Sequence, residues 1–402
     1  MSERTREDLA RKSEELFDLY EQLPAVLRED LTGVDLEAAE LDERKAQQIY
    51  GASQWQLMWR KFTRNRIALL GGLVVLLYYL AAVFAGFLSP YTLTTRFGQY
   101  IYLPPQRVHV FDNGTVRPFV YDVKMDFDED LRRIFETDLD KKIYLQFFAK
   151  GESYDILGLV QSDLHLFQVP DGIVSILGTD RQGRDILSRI LYGSQVSLTI
   201  GLFGVLISLL VGSVLGVVSG YYGGGIDNLI QRLIELVRSF PAIPLWMALS
   251  AAVPPHWPPL RTYFVVTLIL SLVGWTWLAR QLRGQVLAIR DADFVLASRL
   301  SGGSDGRIIF KHLIPASIGQ ITVVATLAMP SMILAETALS FLGLGLRPPV
   351  TSWGVLLKEV QNIQSIALYP WVFSPALAIT GLILAFNFLG DGLRDASDPY
   401  TV

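Results

Sequence analysis

Six long apolar stretches interrupt an otherwise polar chain: residues 67–89, 196–220, 236–253, 263–282, 318–340 and 371–390. Each comes close to the ~20 residues a helix needs to cross a bilayer, so the pattern predicts six transmembrane helices. The third stretch is the weakest. An amphipathic lead-in over residues 226–238 carries Arg232, Glu235 and Arg238, and Pro241 and Pro244 follow it.

The polar segments between these stretches are of three kinds. Residues 1–66 read as a cytoplasmic helical extension, with Leu16, Leu19, Tyr20, Leu23 and Leu27 at helical spacing. Trp55 and Trp59 lie four apart, just before Arg60, Lys61, Arg64 and Arg66. That order suits an interfacial helix with its rings at headgroup depth and its cations beyond them. Anchoring the first span and docking a partner are both compatible with it.

Residues 90–178 predict a small mixed α/β unit outside the membrane. Val108 and Val110, the turn Asn113-Gly114, and Val116, Phe119 and Tyr121 read as a hairpin. Residues 128–136 read as a helix and residues 143–148 as a further strand. Asn113-Gly114-Thr115 also fits a glycosylation acceptor, though the turn by itself accounts for Asn-Gly. The third polar segment, residues 283–316, joins two spans. Residues 293–317 of this stretch have the pattern of a short helix, a bend at Gly302-Gly303 and a second short helix ended by Pro315. Most helix–helix links are ~2–8 residues long, so an elbow of this size predicts more than a connector.

Six spans place both termini on one side. The loop over residues 283–316 carries Arg283, Arg290, Arg299, Arg307 and Lys311, whereas the short loops opposite hold Arg261, Arg347 and Lys358. The positive-inside rule therefore predicts cytoplasmic termini, a cytoplasmic elbow and an extracytoplasmic insertion. Composition agrees with a polytopic membrane protein: 51% hydrophobic, 18% charged, mean hydropathy +0.35 over 402 residues. The absence of cysteine excludes disulfides, thiolate metal sites and cysteine nucleophiles. A net charge of −4 gives no basic signature for nucleic acid. His109, His165, His256 and His312 stand apart from one another, and no metal site is expected. Glu336 falls inside the fifth apolar stretch, where an ionisable residue is a functional candidate. Its position near the outer end is one from which it could reach water, with a structural or gate-hinge role ahead of direct substrate contact. Asn387 in the last stretch is a candidate for interhelical hydrogen bonding. Asp180, Arg181, Arg184 and Asp185 cluster before the second span as a salt-bridged turn, a peptide contact or a docking point.

The elbow resembles the cytoplasmic motif E-A-A-x3-G-x9-I-x-L-P of membrane subunits of ATP-binding-cassette importers. Ala297 and Ser298 fall on the alanine pair, Gly302 on the glycine and Pro315 on the proline. Leu296, His312 and Ile314 replace the glutamate, isoleucine and leucine. The block DGRIIFKHLIP is similar to the dipeptide/oligopeptide branch. LGTDRQGRDILSRILYGSQVSL, GYYGGGIDNLIQR, LSFLGLGLRPPVTSWG and AFNFLGDGLRDASDP resemble other segments of that branch in the same order.

The resemblance implies a C-type permease subunit of the dipeptide/oligopeptide/nickel group, in the bacterial inner membrane, with the six-helix type I permease fold. It also implies a second permease subunit as heterodimer partner, two ATPase subunits that hold ATP and Mg, an extracytoplasmic peptide-binding protein, and no cofactor on this chain. Coupling to the ATPases would fall on Ala297, Ser298, Arg299, Gly302, Gly303, Ser304, Asp305, His312 and Pro315. The sequence Leu300-Ser301-Gly302-Gly303-Ser304 nearly spells an ATPase signature, yet the chain has no Gly-Lys dipeptide and hence no phosphate loop, so no catalysis is expected. A nickel or nickel-chelate importer and a membrane sensor with an outer ligand domain are the alternatives.

Overall fold

The computed structural model describes residues 54–129, 133–156, 158 and 160–397. The leucine pattern of the N-terminal extension lies outside the described residues, as does the side chain of Trp55. The chain divides into two units, residues 1–61 and 62–402. Helix α1 is Gln54–Arg64.

In the larger unit, α2 (Arg66–Val83) begins at an Asn65 cap whose side chain accepts from the Ala68 N–H at 3.1 Å. It continues through the short α3 (Ala85–Leu88). Five strands follow: β1 (His109–Asp112), β2 (Thr115–Phe127), β3 (Arg133–Tyr144), β4 (Gln146–Ile156) and β5 (Val160–Gln168). They form two antiparallel sheets, β1-β2-β3 and β4-β5. The hairpin about Asn113-Gly114 is present, both residues at positive φ.

The helix expected over residues 128–136 is not. Arg133–Glu136 belongs to β3, where Phe135 pairs with Met125 and Ile134 with Asp126. Cross-strand pairing with β2 overrides the local helical pattern, because a sheet partner 10 residues away is invisible to a periodicity window. The strand expected over residues 143–148 is divided. The chain leaves one sheet after Tyr144 and enters the other at Gln146. Among the described residues the insertion is all strand and loop, with a core of Tyr91, Leu103, Val120, Ile143, Phe167, Ile173 and Val174.

Helix α4 (Ile186–Tyr222) is capped by Asp185, which accepts from the Ser188 N–H at 2.7 Å. Its 37 residues extend ~55 Å, well beyond a ~30 Å hydrocarbon core. It therefore links the strand end of the molecule to the elbow end. Next come α5 (Gly224–Ser239), α6 (Ala242–Ala251) and α7 (Pro259–Ile289). The third apolar stretch is thus no simple span: α5 and α6 meet at 81° about Phe240-Pro241. The elbow follows, then α11 (Ile318–Phe341), the short α12 (Trp353–Leu357) and α13 (Ile363–Leu368), and α14 (Ser374–Ser397); α8 to α10 belong to the elbow. By length and composition five described helices can cross a membrane, or six counting the bent pair.

The α4–α7 contact explains how apolar helices associate where lipid competes for their surfaces. A Cβ added at Gly212, Gly216 or Gly220 would come within 2.6–2.8 Å of the carbonyl oxygens of Trp275, Ala279 and Arg283 in turn. Glycine at every fourth position lets the two backbones touch, which maximises van der Waals contact. Ser271 Oγ donates to the Gly204 carbonyl at 3.1 Å across the same seam.

Candidate functional site

The elbow comprises α8 (Asp293–Leu300), α9 (Asp305–Ile308), a π turn (Ile309–Leu313) and α10 (Ile314–Ala316). Its inner face is anchored. Val295, Ile308, Ile309 and Leu313 are buried with Val217, Leu278, Leu282, Val286 and Val324 of the spans.

The bend has the geometry of a helix stop with reversal. Gly302 sits at φ +78°, its N–H donating to the Arg299 carbonyl at 3.1 Å, while the Gly303 N–H donates to the Ser298 carbonyl at 2.9 Å. These are the paired bonds of a Schellman motif. The two glycines serve different ends. A side chain at Gly302 would find open space but a strained backbone, whereas a Cβ at Gly303 would meet the Ser298 carbonyl oxygen and Oγ at 2.8 Å. Ser304 then caps α9, its Oγ accepting from the Arg307 N–H at 3.4 Å.

Two tyrosines at the end of α4 brace this loop. Tyr221 Oη donates to Asp305 Oδ1 at 2.7 Å, and Tyr222 Oη to Oδ2 at 3.3 Å. Arg299 Nη2 donates to Tyr221 Oη at 3.3 Å, with the guanidinium 5.6 Å from the ring centre. That hydrogen bond holds the Arg299 guanidinium even more firmly protonated than usual. Ser298 Oγ and His312 Nε2 lie 3.2 Å apart, tying α8 to the π turn. Behind the brace, Arg283 of α7 makes a two-pronged bond to Asp227 of α5, both contacts at 2.6 Å.

Pro315 does not end the second helix as its position suggested. It lies in the first turn of α10, and the Ser317 N–H and Oγ bond back to Leu313, so helical turns run on almost to α11.

The outward face of the elbow is mixed: Leu300 is 89% exposed and Phe310 59%, with Phe294, Leu296 and Ala297 also exposed, among the exposed charges of Asp293, Arg299, Asp305, Arg307 and Lys311. Sequence reading placed all nine elbow candidates on this loop but missed Tyr221, Tyr222 and Leu300. The tyrosines lie in a segment whose likeness to the branch was legible, yet a hydroxyl and a carboxylate 84 residues apart carry no pairing signal.

The remaining candidates fall elsewhere. Glu336 is fully buried and does not reach water. Its Oε1 accepts from Ser340 Oγ and Ser352 Oγ at 2.7 Å each, and its Oε2 from Ser197 Oγ at 3.3 Å. Ser197 Oγ in turn accepts from the Trp353 N–H at 3.1 Å. Glu336 thus joins α4, α11 and the segment leading into α12. Asn387 is exposed on α14 and, among the described residues, forms no interhelical hydrogen bond.

Neither residue lines a cavity of about 870 Å³ whose walls include Arg238, Trp246, Trp277, Gln281, Gln320 and Arg394. The charged cluster before α4 is a buried network. Asp180 accepts from Arg184 Nε at 2.7 Å and from Arg189, and Glu359 lies 3.6–3.8 Å from Arg189, Arg184 and Arg181. Burial pushes the Glu359 carboxyl above the usual range. Asp185 stands apart from these cations, bonded to Ser175 and Ser188.

Apolar helices at bilayer length, with a braced elbow at one end, define a polytopic membrane protein. The family description "Binding-protein-dependent transport system inner membrane component" matches residues 212–401, and "N-terminal TM domain of oligopeptide transport permease C" matches residues 53–105. The glutathione transport system permease protein GsiD of Pectobacterium atrosepticum is 32% identical over 345 residues, 86% of this chain and 91% of the relative. The dipeptide permease DppC of Bacillus subtilis is 32% identical over 349 residues, 86% of each chain. DppC of Lactococcus lactis is 31% identical over 374 residues, 93% of this chain and 98% of the relative. Among solved structures, a chain of the MetNI methionine transporter aligns with 17% identity and a TM-score of 0.39, covering 52% of this chain and 95% of that one. This chain belongs to the inner-membrane permease subunits of binding-protein-dependent ATP-binding-cassette importers, in the C-type peptide branch.

Proposed function

We propose that the chain forms one half of the pathway of an importer for di- and oligopeptides, and that the elbow around Gly302 couples this pathway to cytoplasmic ATPase subunits. The observation that carries the proposal is the elbow's construction. An almost bare Leu300 stands on a loop that is buried underneath, braced by Tyr221, Tyr222 and Asp305, and fixed between two spans. An exposed apolar tip on a rigid mount is what a docking surface requires. Closure of the ATPases would then move α7 and α11 through their shared core with the elbow. In this scheme a second permease subunit completes the pathway, an extracytoplasmic binding protein delivers peptide at the strand end, and both termini are cytoplasmic. ATP and the loaded binding protein must favour different states for coupling to arise. The peptide names of the relatives and the apolar, aromatic-walled cavity with Gln281 and Gln320 support peptide cargo.

Two substitutions at one position test the coupling. Asparagine tolerates positive φ, so Gly302→Asn should keep the bend and most uptake. Gly302→Asp should keep the bend but place an anion on the docking face, abolishing peptide uptake with insertion and expression intact. Normal uptake by the aspartate variant would refute the coupling role.

A further inference from the structure

A second apolar surface lies at the strand end, where the β4-β5 hairpin stands beside the first span. A groove of about 670 Å³ has Leu77, Leu80, Phe84 and Phe87 on its helical wall and Tyr154, Ile156 and Leu164 on its strand wall. The walls touch at Gly86, where an added Cβ would come 2.1 Å from the Tyr154 ring. They are held there by His165, whose ring nitrogens lie 2.7 Å from the Ser89 carbonyl and 2.9 Å from that of Glu152.

The polar side chains of the strand wall bond within the hairpin. Tyr154 Oη donates to the Leu164 carbonyl at 2.6 Å, and Ser162 Oγ accepts from the Leu164 N–H at 3.3 Å. Nothing polar is therefore required of an occupant. The hairpin is two-faced: Tyr154, Ile156, Ser162 and Leu164 line the groove, while the alternating Asp155, Gln161 and Asp163 do not.

We infer that this groove binds an acyl chain of a bilayer phospholipid, with the hairpin lying across the headgroup boundary of the leaflet at the strand end. Continuity with the exposed apolar side of α2 points to this occupant. Leu73, Leu76, Leu77, Leu80 and Phe84 are 42–54% exposed on a helix that, by its length and composition, crosses the membrane. Leu77 to Leu88 covers ~17 Å of helix rise, so the groove opens sideways into the outer part of the hydrocarbon layer. Polar residues on the far face keep the hairpin's open edges near headgroups and water, as an unpaired edge in hydrocarbon demands. Amphipathic division across the interface is the same device that holds surface helices on membranes.

The chain has no cysteine, so a single introduced thiol reports one site. Ile156→Cys and Gln161→Cys are labelled with an environment-sensitive fluorophore in the full chain, reconstituted with its sister subunits in phosphatidylglycerol/phosphatidylethanolamine nanodiscs. The expected result is a blue-shifted emission at position 156, quenched by phospholipid with a nitroxide on the acyl chain and shielded from aqueous iodide. Position 161 should show the reverse. Photocrosslinking from position 156 should capture phospholipid. Iodide quenching equal at the two positions, or crosslinking to a sister subunit in place of lipid, would overturn the inference. Peptide uptake is not the readout, so the outcome is independent of the elbow's proposed role.

Discussion

Leu300 offers the sharpest test of the elbow, because its stability and docking effects separate. It is 89% exposed in the isolated chain, whereas Val295 and Ile308 on the inner face are fully buried. Replacing Leu300 by serine therefore removes almost no contact within the fold, and thermal stability of the detergent-solubilised chain should be unchanged. Docking is another matter. Fully burying a leucine is worth about 1.5–3 kcal/mol relative to leaving it exposed. A loss of ~2 kcal/mol corresponds to roughly 30-fold weaker binding. Titration of the purified ATPase subunits against Leu300→Ser in nanodiscs should show that weakening, with peptide-stimulated ATP hydrolysis falling in parallel at limiting ATPase. Val295→Ser serves as the contrast, since it should lower stability first. Wild-type affinity in Leu300→Ser, or a clear drop in its melting temperature, would show that the exposed tip is not the docking surface.

Three further outcomes follow from the packing. Gly216→Leu forces a side chain into a site where even Cβ would lie 2.6 Å from the Ala279 carbonyl oxygen, so α4 and α7 must separate; overpacking of ~1–3 kcal/mol should appear as a lower melting temperature and faster proteolysis. Glu336→Ala leaves the hydroxyls of Ser197, Ser340 and Ser352 without their shared acceptor. A penalty of ~1–3 kcal/mol for each buried orphan should loosen the α12 segment in hydrogen exchange, with Glu336→Gln milder. In the insertion, the hydrogen bond from Lys142, with that from Tyr144, holds the Asp112 carboxyl below the usual carboxylate range. A depressed folded value contributes stability above the ordinary value of ~3.9 and loses it as pH falls through the folded value. Asp112→Asn should therefore flatten the acid limb of β-sheet unfolding, monitored by amide exchange in β2 and β3.

Glycine spacing, apolar run length and the order of motifs were sufficient to foresee the membrane helices, the elbow and the family. Those properties are local: bilayer thickness sets helix length, and Gly302-Gly303 permits a bend whatever packs around it. The misreadings were of non-local origin. Residues 133–136 became strand because β2 supplied a pairing edge, and Pro315 stayed within helical turns that Ser317 continues by bonding back to Leu313. Glu336 looked solvent-reachable from its distance to the helix end, yet the chain folds Ser352 and Trp353 back over it. One-dimensional order thus determined what kinds of element form and where the loop bends. Only the tertiary structure decided which groups find one another, since Tyr221 bonds Asp305, and the Tyr154 ring packs on Gly86, through space that no sequence window spans.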